Sequence, residues 1–334
     1  MKRSRLSAFL LTFLGLAASF AHAGSYQYFR VGNKNDMQTK PAPGTAMMGG
    51  GEDLDEAFRW LCELGAGGDF LILRATGSDA YNSYINGLCR LNSVATLIIP
   101  DRQSAQEPTA AGIIRRAAVI FIAGGDQANY IRGWKDTPVQ DAINSGIADG
   151  KPIGGTSAGL AVLGEFVYGA LGDRPDDNDL ASPEVLANPY FERVTLARGF
   201  LTVPHLENLL TDSHFATRDR MGRTLGFLAR VMQDGWSKTP REIAVDEKSA
   251  LLVGSDGTGF VVGKGKGVYF LRPSLAPEVC KKGEPLTFRN VSVYKLPAGG
   301  RFDLVSWTGT GGTNYLLSVV NGRIESTAAN HEVY

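Results

Sequence analysis

The segment best suited to covalent chemistry is Gly155-Thr156-Ser157-Ala158-Gly159. It has the pattern G-x-S-x-G, it follows a short apolar run, and a helix-like stretch comes after it. A serine at a tight strand-to-helix turn stands above the sheet edge, and flanking glycines leave room for neighbouring chain. The amino end of the following helix offers N–H groups to a developing oxyanion. A glycine-rich turn with an incidental serine is the competing explanation. A serine nucleophile needs a base, and beyond residue 23 the chain offers His205, His214 and His331. His331 lies among polar neighbours near the carboxyl end, and His205 follows a proline in an apolar stretch. His214 sits in Asp212-Ser213-His214-Phe215-Ala216-Thr217-Arg218-Asp219-Arg220-Met221-Gly222-Arg223. A helix is predicted from about 213 to 233, which would put His214 at its start and Arg218 on the same face. A solvated charged face would account for the arginines but not for the histidine.

The elements that must position these groups follow from the pattern of apolar runs. Strand-like segments are predicted near 46–48, at 69–74, 94–100 and 118–123, and at 152–157 leading into Ser157. Helical spacing occupies 54–64, 80–91, 109–116 and 139–148, and 160–167 is expected to continue as helix. Continuous apolar strands alternating with helices indicate an α/β fold with a mostly parallel sheet covered on both faces. Ligands bind beyond the carboxyl ends of such strands. The loop Gly124-Gly125-Asp126-Gln127 after the fourth strand therefore shares a rim with Ser157, and the N–H groups of Gly125 and Ala158 are the candidate oxyanion hole. A plain turn is the alternative at 124–127. Residues 172–190 form a polar, aspartate-rich insertion. Strands are expected at 242–245, 250–253 and 259–262, and glycine-rich antiparallel strands over the last fifty residues.

Four segments occur in a telling order: GGDQ at 124–127, GTSAG at 155–159, DSHFATRDRMGR at 212–223 and AVDEKSALLV at 244–253. Together they resemble the cyanophycinases and related aspartyl dipeptidases, serine peptidases on a class I glutamine-amidotransferase-like α/β fold. The likeness runs from about residue 46 to 271 and is greatest to the secreted type. It implies Ser157 as nucleophile, His214 as general base and Glu247 as the acid that orients the imidazole; Asp173, which lies between serine and histidine in the chain, is the fallback acid. The order Ser, His, Glu departs from that of α/β-hydrolases, which argues against a lipase or esterase. Gln127, Asp212, Arg218, Arg220 and Arg223 would form the substrate site, the arginines gripping carboxylates and Asp212 receiving a substrate guanidinium. The implied reaction is hydrolysis of cyanophycin, a poly-aspartate carrying arginine on each β-carboxyl, to β-aspartyl-arginine dipeptides. A dipeptidase for small aspartyl peptides is the nearest rival, and a non-catalytic secreted binder of the same fold is a second. Ser213 stands where cyanophycinases commonly carry glutamine, and the interval from Ser157 to His214 is long for the family.

Composition narrows the partners. The chain has 334 residues, 43% of them hydrophobic, with 34 basic and 34 acidic side chains. That balance gives no electrostatic reason to expect nucleic acid. Lys2, Arg3 and Arg5, an apolar run at 6–20 and Ala21-His22-Ala23 form a secretory signal with cleavage expected after Ala23. The mature chain is expected to be secreted or periplasmic and not membrane-bound. The expected organisation is a signal at 1–23, an entry segment at 24–44, a catalytic α/β domain at 45–271 and a β-extension at 272–334 packed on that domain. Of three cysteines, Cys62 and Cys89 could form a disulfide or remain two buried thiols. The implied chemistry needs no metal or organic cofactor, and related enzymes suggest a homodimer.

Overall fold

The structure, a computed structural model, describes residues 25–173 and 179–334. The expected signal at 1–23 and part of the aspartate-rich insertion lie outside the described residues. The first half alternates strand and helix. It runs β1 (Gln27–Gly32), β2 (Gly44–Met48), α1 (Asp55–Leu64), β3 (Asp69–Arg74), α2 (Tyr81–Leu88), β4 (Ser93–Ile98), α3 (Arg102–Ala105) and α4 (Pro108–Arg116). It continues with β5 (Val119–Ile122), α5 (Gln127–Trp134), α6 (Pro138–Ala148), β6 (Ile153–Thr156) and α7 (Ala158–Ala161). There follow β7 (Phe166–Tyr168), α8 (Ser182–Ala187), β8 (Leu196–Arg198), β9 (Leu209–Asp212), α9 (Met221–Gln233), β10 (Arg241–Val245) and β11 (Ser249–Gly254). The rest is strand: β12 (Thr258–Gly263), β13 (Val268–Pro273), β14 (Phe288–Leu296), β15 (Arg301–Asp303), β16 (Thr308–Thr310), β17 (Thr313–Val320) and β18 (Arg323–Ser326).

Two large sheets result. The first has the order β1-β4-β3-β5-β6-β2-β11-β12-β15-β16, and the second β18-β17-β14-β13-β10-β9-β7-β8. Strands β4, β3, β5, β6 and β2 are parallel. Both flanks of this block are antiparallel, through β1 on β4 and β11 on β2. The second sheet is mainly antiparallel, with parallel pairing only where β9 meets β10 and β7. The expectation of a mostly parallel sheet is thus corrected to a mixed α/β fold. The reason is local: after α9 no helix covers a crossover, and strands joined by short turns pair antiparallel. The last sixty residues feed both sheets, β14, β17 and β18 continuing from β13, and β15 and β16 continuing from β12.

The parallel block is buried on both faces, as its unbroken apolar strands require. In β3, Phe70 and Ile72 pack with Phe58 and Leu61 of α1. Leu71 and Leu73 point the other way, into the cluster that holds Ile114 of α4 and Ile143 of α6. Cys62 and Cys89, at the ends of α1 and α2, form a disulfide. Cys280 is free and buried, and burial pushes its thiol up to about 12. Among the described residues no helix is long and apolar enough to cross a membrane.

Two helix expectations fail for tertiary reasons. The helix after Ser157 lasts one turn, because Phe166–Tyr168 leaves it to pair with β8 and β9 in the second sheet. The helix expected from 213 begins at Met221 instead. Residues 213–220 are turns, with left-handed φ of 48° at His214 and 50° at Asp219. His214 and Arg218 therefore share no helical face, although the Arg218 N–H still donates to the His214 carbonyl at 3.0 Å.

Candidate active site

Ser157 stands at the end of β6 with φ 53° and ψ −117°. This conformation is unfavourable for a residue with a Cβ, by about 1–3 kcal/mol, and is retained only where the surroundings enforce it. The two glycines of G-x-S-x-G supply that enforcement. A Cβ on Gly155 would meet the Gly159 carbonyl carbon at 2.4 Å, and one on Gly159 would meet the Ile122 oxygen at 2.0 Å. The turn closes this tightly only because neither residue has a side chain. From the turn, Ser157 Oγ lies 2.7 Å from His214 Nε2. His214 Nδ1 lies 2.6 Å from Glu247 Oε1. Serine, imidazole and carboxylate form one hydrogen-bonded line, with His214 buried.

The segment that holds this line together is Met48-Gly49-Gly50-Gly51, to which the sequence analysis assigned no role. The Met48 carbonyl accepts from Ser157 N–H at 3.1 Å and the Gly49 carbonyl from His214 N–H at 2.8 Å. The Gly50 carbonyl accepts from the N–H of Lys248, next to Glu247, at 3.0 Å. Three successive carbonyls thus tie down the neighbourhood of all three groups. A Cβ on Gly51 would approach Glu247 Oε2 to 2.8 Å, and one on Gly49 would approach the Asp246 oxygen to 1.9 Å. A further tie comes from buried Asp246, whose carboxylate accepts from the Thr217 N–H at 2.8 Å and hydroxyl at 3.1 Å. A run of three glycines after a strand was the available signal.

Burial pushes the His214 pKa down, the Glu247 carboxylate pulls it up, and Arg218 and Arg220 push it down again. The net is a shift below the ordinary 6.5. The imidazole is therefore neutral near pH 7 and able to accept a proton.

A cavity of about 510 Å³ opens beside Ser157 and is lined by Gly125, Gln127, Ala158, Arg218, Arg220 and Arg223, among others. The two candidate oxyanion donors and Gln127 accordingly share the wall with the serine. Asp173 also lines it but does not reach His214. Its carboxylate accepts from Arg193 Nε at 2.7 Å and Tyr168 OH at 3.2 Å, so the fallback acid is set aside.

Asp212 is corrected as well. It is fully buried and accepts from Arg223 Nε at 2.9 Å and Nη2 at 2.6 Å, with Arg220 Nη1 at 3.3 Å. Burial opposes its ionisation, but Arg223 and Arg220 outweigh burial and bring its pKa below normal. Its oxygens are committed inside the protein and cannot receive a substrate guanidinium. Arg220 is also buried and donates to Asp179 Oδ2 at 2.6 Å and to the Ser213 carbonyl at 2.8 Å. Arg218 is 44% exposed, donates to Asp179 Oδ2 at 3.1 Å and stands 3.6 Å from Glu247. The arginine cluster is thus answered by Asp179, Asp212 and Glu247. A cation not anticipated from the sequence, Arg132 of α5, also lines the cavity and has no ion pair among the described residues.

The profile of peptidase family S51 matches residues 78–220, which include Ser157 and His214 but not Glu247. A cyanophycinase from Trichormus variabilis is 28% identical over 222 residues, 64% of this chain and 66% of that protein. One from Synechococcus elongatus is 28% identical over 221 residues, covering 61% of that protein. The match spans just under two thirds of the length of these relatives. A solved peptidase from an acI-B1 actinobacterium superposes with a TM-score of 0.50 at 20% identity, covering 80% of this chain and 98% of that one. In sequence, the chain resembles the cyanophycinases and peptidase family S51.

Proposed function

We propose that the chain is a secreted serine peptidase that hydrolyses cyanophycin to β-aspartyl-arginine dipeptides. The observation that carries this reading is the hydrogen-bonded line Ser157–His214–Glu247 at the mouth of a charged cavity. His214 Nε2 takes the Ser157 proton as Oγ attacks the backbone carbonyl, and the tetrahedral oxyanion turns toward the N–H groups of Gly125 and Ala158. Glu247 holds the Nδ1 proton and stabilises the imidazolium. His214 then protonates the leaving amine, and water resolves the acyl-enzyme by the same route. The parallel block β4-β3-β5-β6-β2 is what a glutamine-amidotransferase-like core would supply, with a serine where those enzymes carry cysteine. Secretion rests on the signal expected at 1–23.

The cavity chemistry suits a zwitterionic chain better than a purely acidic one. Most of the arginine charge is met internally, so a substrate carboxylate would turn to Arg132 and the open side of Arg218. The test is incubation of the mature protein with insoluble cyanophycin, with mass analysis of the soluble products beside a Ser157→Ala control. Release of β-aspartyl-arginine by the unmutated protein alone is expected. A folded protein that releases nothing from the polymer but cleaves small aspartyl peptides would move the assignment to a dipeptidase.

A further inference from the structure

Asp212 is enclosed by Arg223 and Arg220, so a cationic side chain of the substrate must be met by another carboxylate of the cavity. Among the carboxylates lining the cavity, Asp173 is engaged by Arg193 and Tyr168. Asp126 is the N-cap of α5, its Oδ1 accepting from Ala128 N–H at 2.8 Å, and it is exposed. Asp179 differs from both. Arg218 and Arg220 both bond to one of its oxygens, Oδ2. Oδ1 has no hydrogen-bond partner among the described residues, and the side chain keeps 48% of its surface exposed. It therefore has one anchored oxygen and one open oxygen on the wall it shares with Ser157.

We infer that Asp179 is the specificity-determining acceptor for the guanidinium of the substrate's arginine, taking it on Oδ1 while Arg218 and Arg220 hold Oδ2. Two features fit the task. The carboxylate is immobilised before the ligand arrives, so little side-chain entropy is lost on binding. It also remains charged: burial favours the neutral acid, but Arg220, with Arg223 and Arg218, overrides burial and brings the pKa to about 2. A charge-assisted hydrogen bond to a fixed carboxylate is among the stronger polar contacts available to a guanidinium. The neighbouring arginines already balance Asp179, which weakens its long-range pull on cations. Selection then depends on the short contact at Oδ1, which discriminates by hydrogen-bond geometry. Arg218 lies 3.6 Å from Glu247, so this acceptor sits one side chain away from the catalytic line.

The inference rests on the peptidase reading for its substrate, but its test does not need turnover. Calorimetric titration of the Ser157→Ala protein compares β-aspartyl-arginine with β-aspartyl-citrulline, which keeps the shape of the side chain and replaces guanidinium by neutral urea. Arginine is expected to bind at least about tenfold more tightly, the size of one charge-assisted bond. Adding Asp179→Asn should abolish that preference while leaving citrulline binding nearly unchanged. Equal losses for the two ligands would mean that Asp179 only positions the arginines, and would overturn the proposal. So would a preference that survives in Asp179→Asn, one that disappears in Asp126→Asn instead, or absence of binding by either ligand. Dipeptide binding that depends on Asp179, in a protein that leaves the polymer intact, would remove the proposed polymer activity and keep the acceptor.

Discussion

A Cβ on Gly50 would stand 2.5 Å from His214 Nε2, the atom that faces the Ser157 hydroxyl, and 3.1 Å from Ser157 Cβ. Gly50 also has φ +92°, where a side chain is strained whatever space surrounds it. Gly50→Ala should therefore displace the imidazole and lower kcat by at least about a hundredfold, since a shift of 1 Å near the reacting atoms has that effect. Circular dichroism should show the fold retained. Activity within a factor of two of the unmutated protein would mean that the loop moves aside without cost.

The proposed role of neutral His214 as base predicts its own pH dependence. Only the unprotonated imidazole accepts the serine proton, so kcat/KM should rise with pH through an apparent pKa below 6.5, in the direction that burial drives it. Arg218 contributes to that depression, so Arg218→Gln should move the rising limb to higher pH. A limb that stays in place would place the titration elsewhere.

Glu242 lies fully buried behind Asp212, with Oε1 accepting from Thr224 at 3.0 Å and Oε2 without a hydrogen-bond partner among the described residues. Burial, reinforced by the Asp212 charge, raises its pKa well above 4.5, so the folded protein holds it protonated where the unfolded chain would ionise it. Its contribution to stability is complete below 4.5 and is lost as pH rises toward the folded-state pKa. Glu242→Gln removes that loss. Urea unfolding across pH should show the variant gaining on the unmutated protein by about 1.4 kcal/mol per pH unit above the unfolded value. A difference independent of pH would show that Glu242 is charged in the folded state.

The bridge between Cys62 and Cys89 joins residues 27 apart and pins α1 to α2. Its loss in the double variant Cys62→Ser, Cys89→Ser should cost about 3 kcal/mol of unfolding free energy, mainly through the freer unfolded chain. Activity at 25 °C should persist, because neither residue touches the cavity. A midpoint of denaturation unchanged from the oxidised protein would exclude a closed bridge.

Much of the first half was legible because strand and helix there obey simple periods. Asp69–Arg74 coincides with its predicted strand, and the helices at 55–64 and 108–116 fall within two residues of expectation. Ser157 and His214 could be singled out from a spacing and from a histidine among arginines. What the pattern concealed depends on partners distant in sequence. His214 adopts left-handed φ because its N–H answers Gly49, some 165 positions earlier, and no local rule contains that bond. Phe166–Tyr168 has apolar residues that suit a helix or a strand equally, and only pairing with β8 and β9 decides between them. Asp212 looked like a ligand-facing acid until Arg223 closed over it, since a charge's burial is invisible in residue type.

Strand β2 lies between β6 and β11, and its trailing carbonyls reach to Ser157, His214 and Lys248. The proposed hydrolytic apparatus is consequently not portable. The stretch that matches family S51 carries two of the three aligned groups yet neither Met48–Gly50 nor Glu247. A graft of that stretch onto another scaffold would transplant a serine and a histidine without the ruler that spaces them. A cut in an exposed turn far from 48–50, such as 281–284, should by contrast be tolerated provided both pieces remain associated. The Ser157–His214–Glu247 alignment belongs to the interleaving of the chain and to no contiguous part of it.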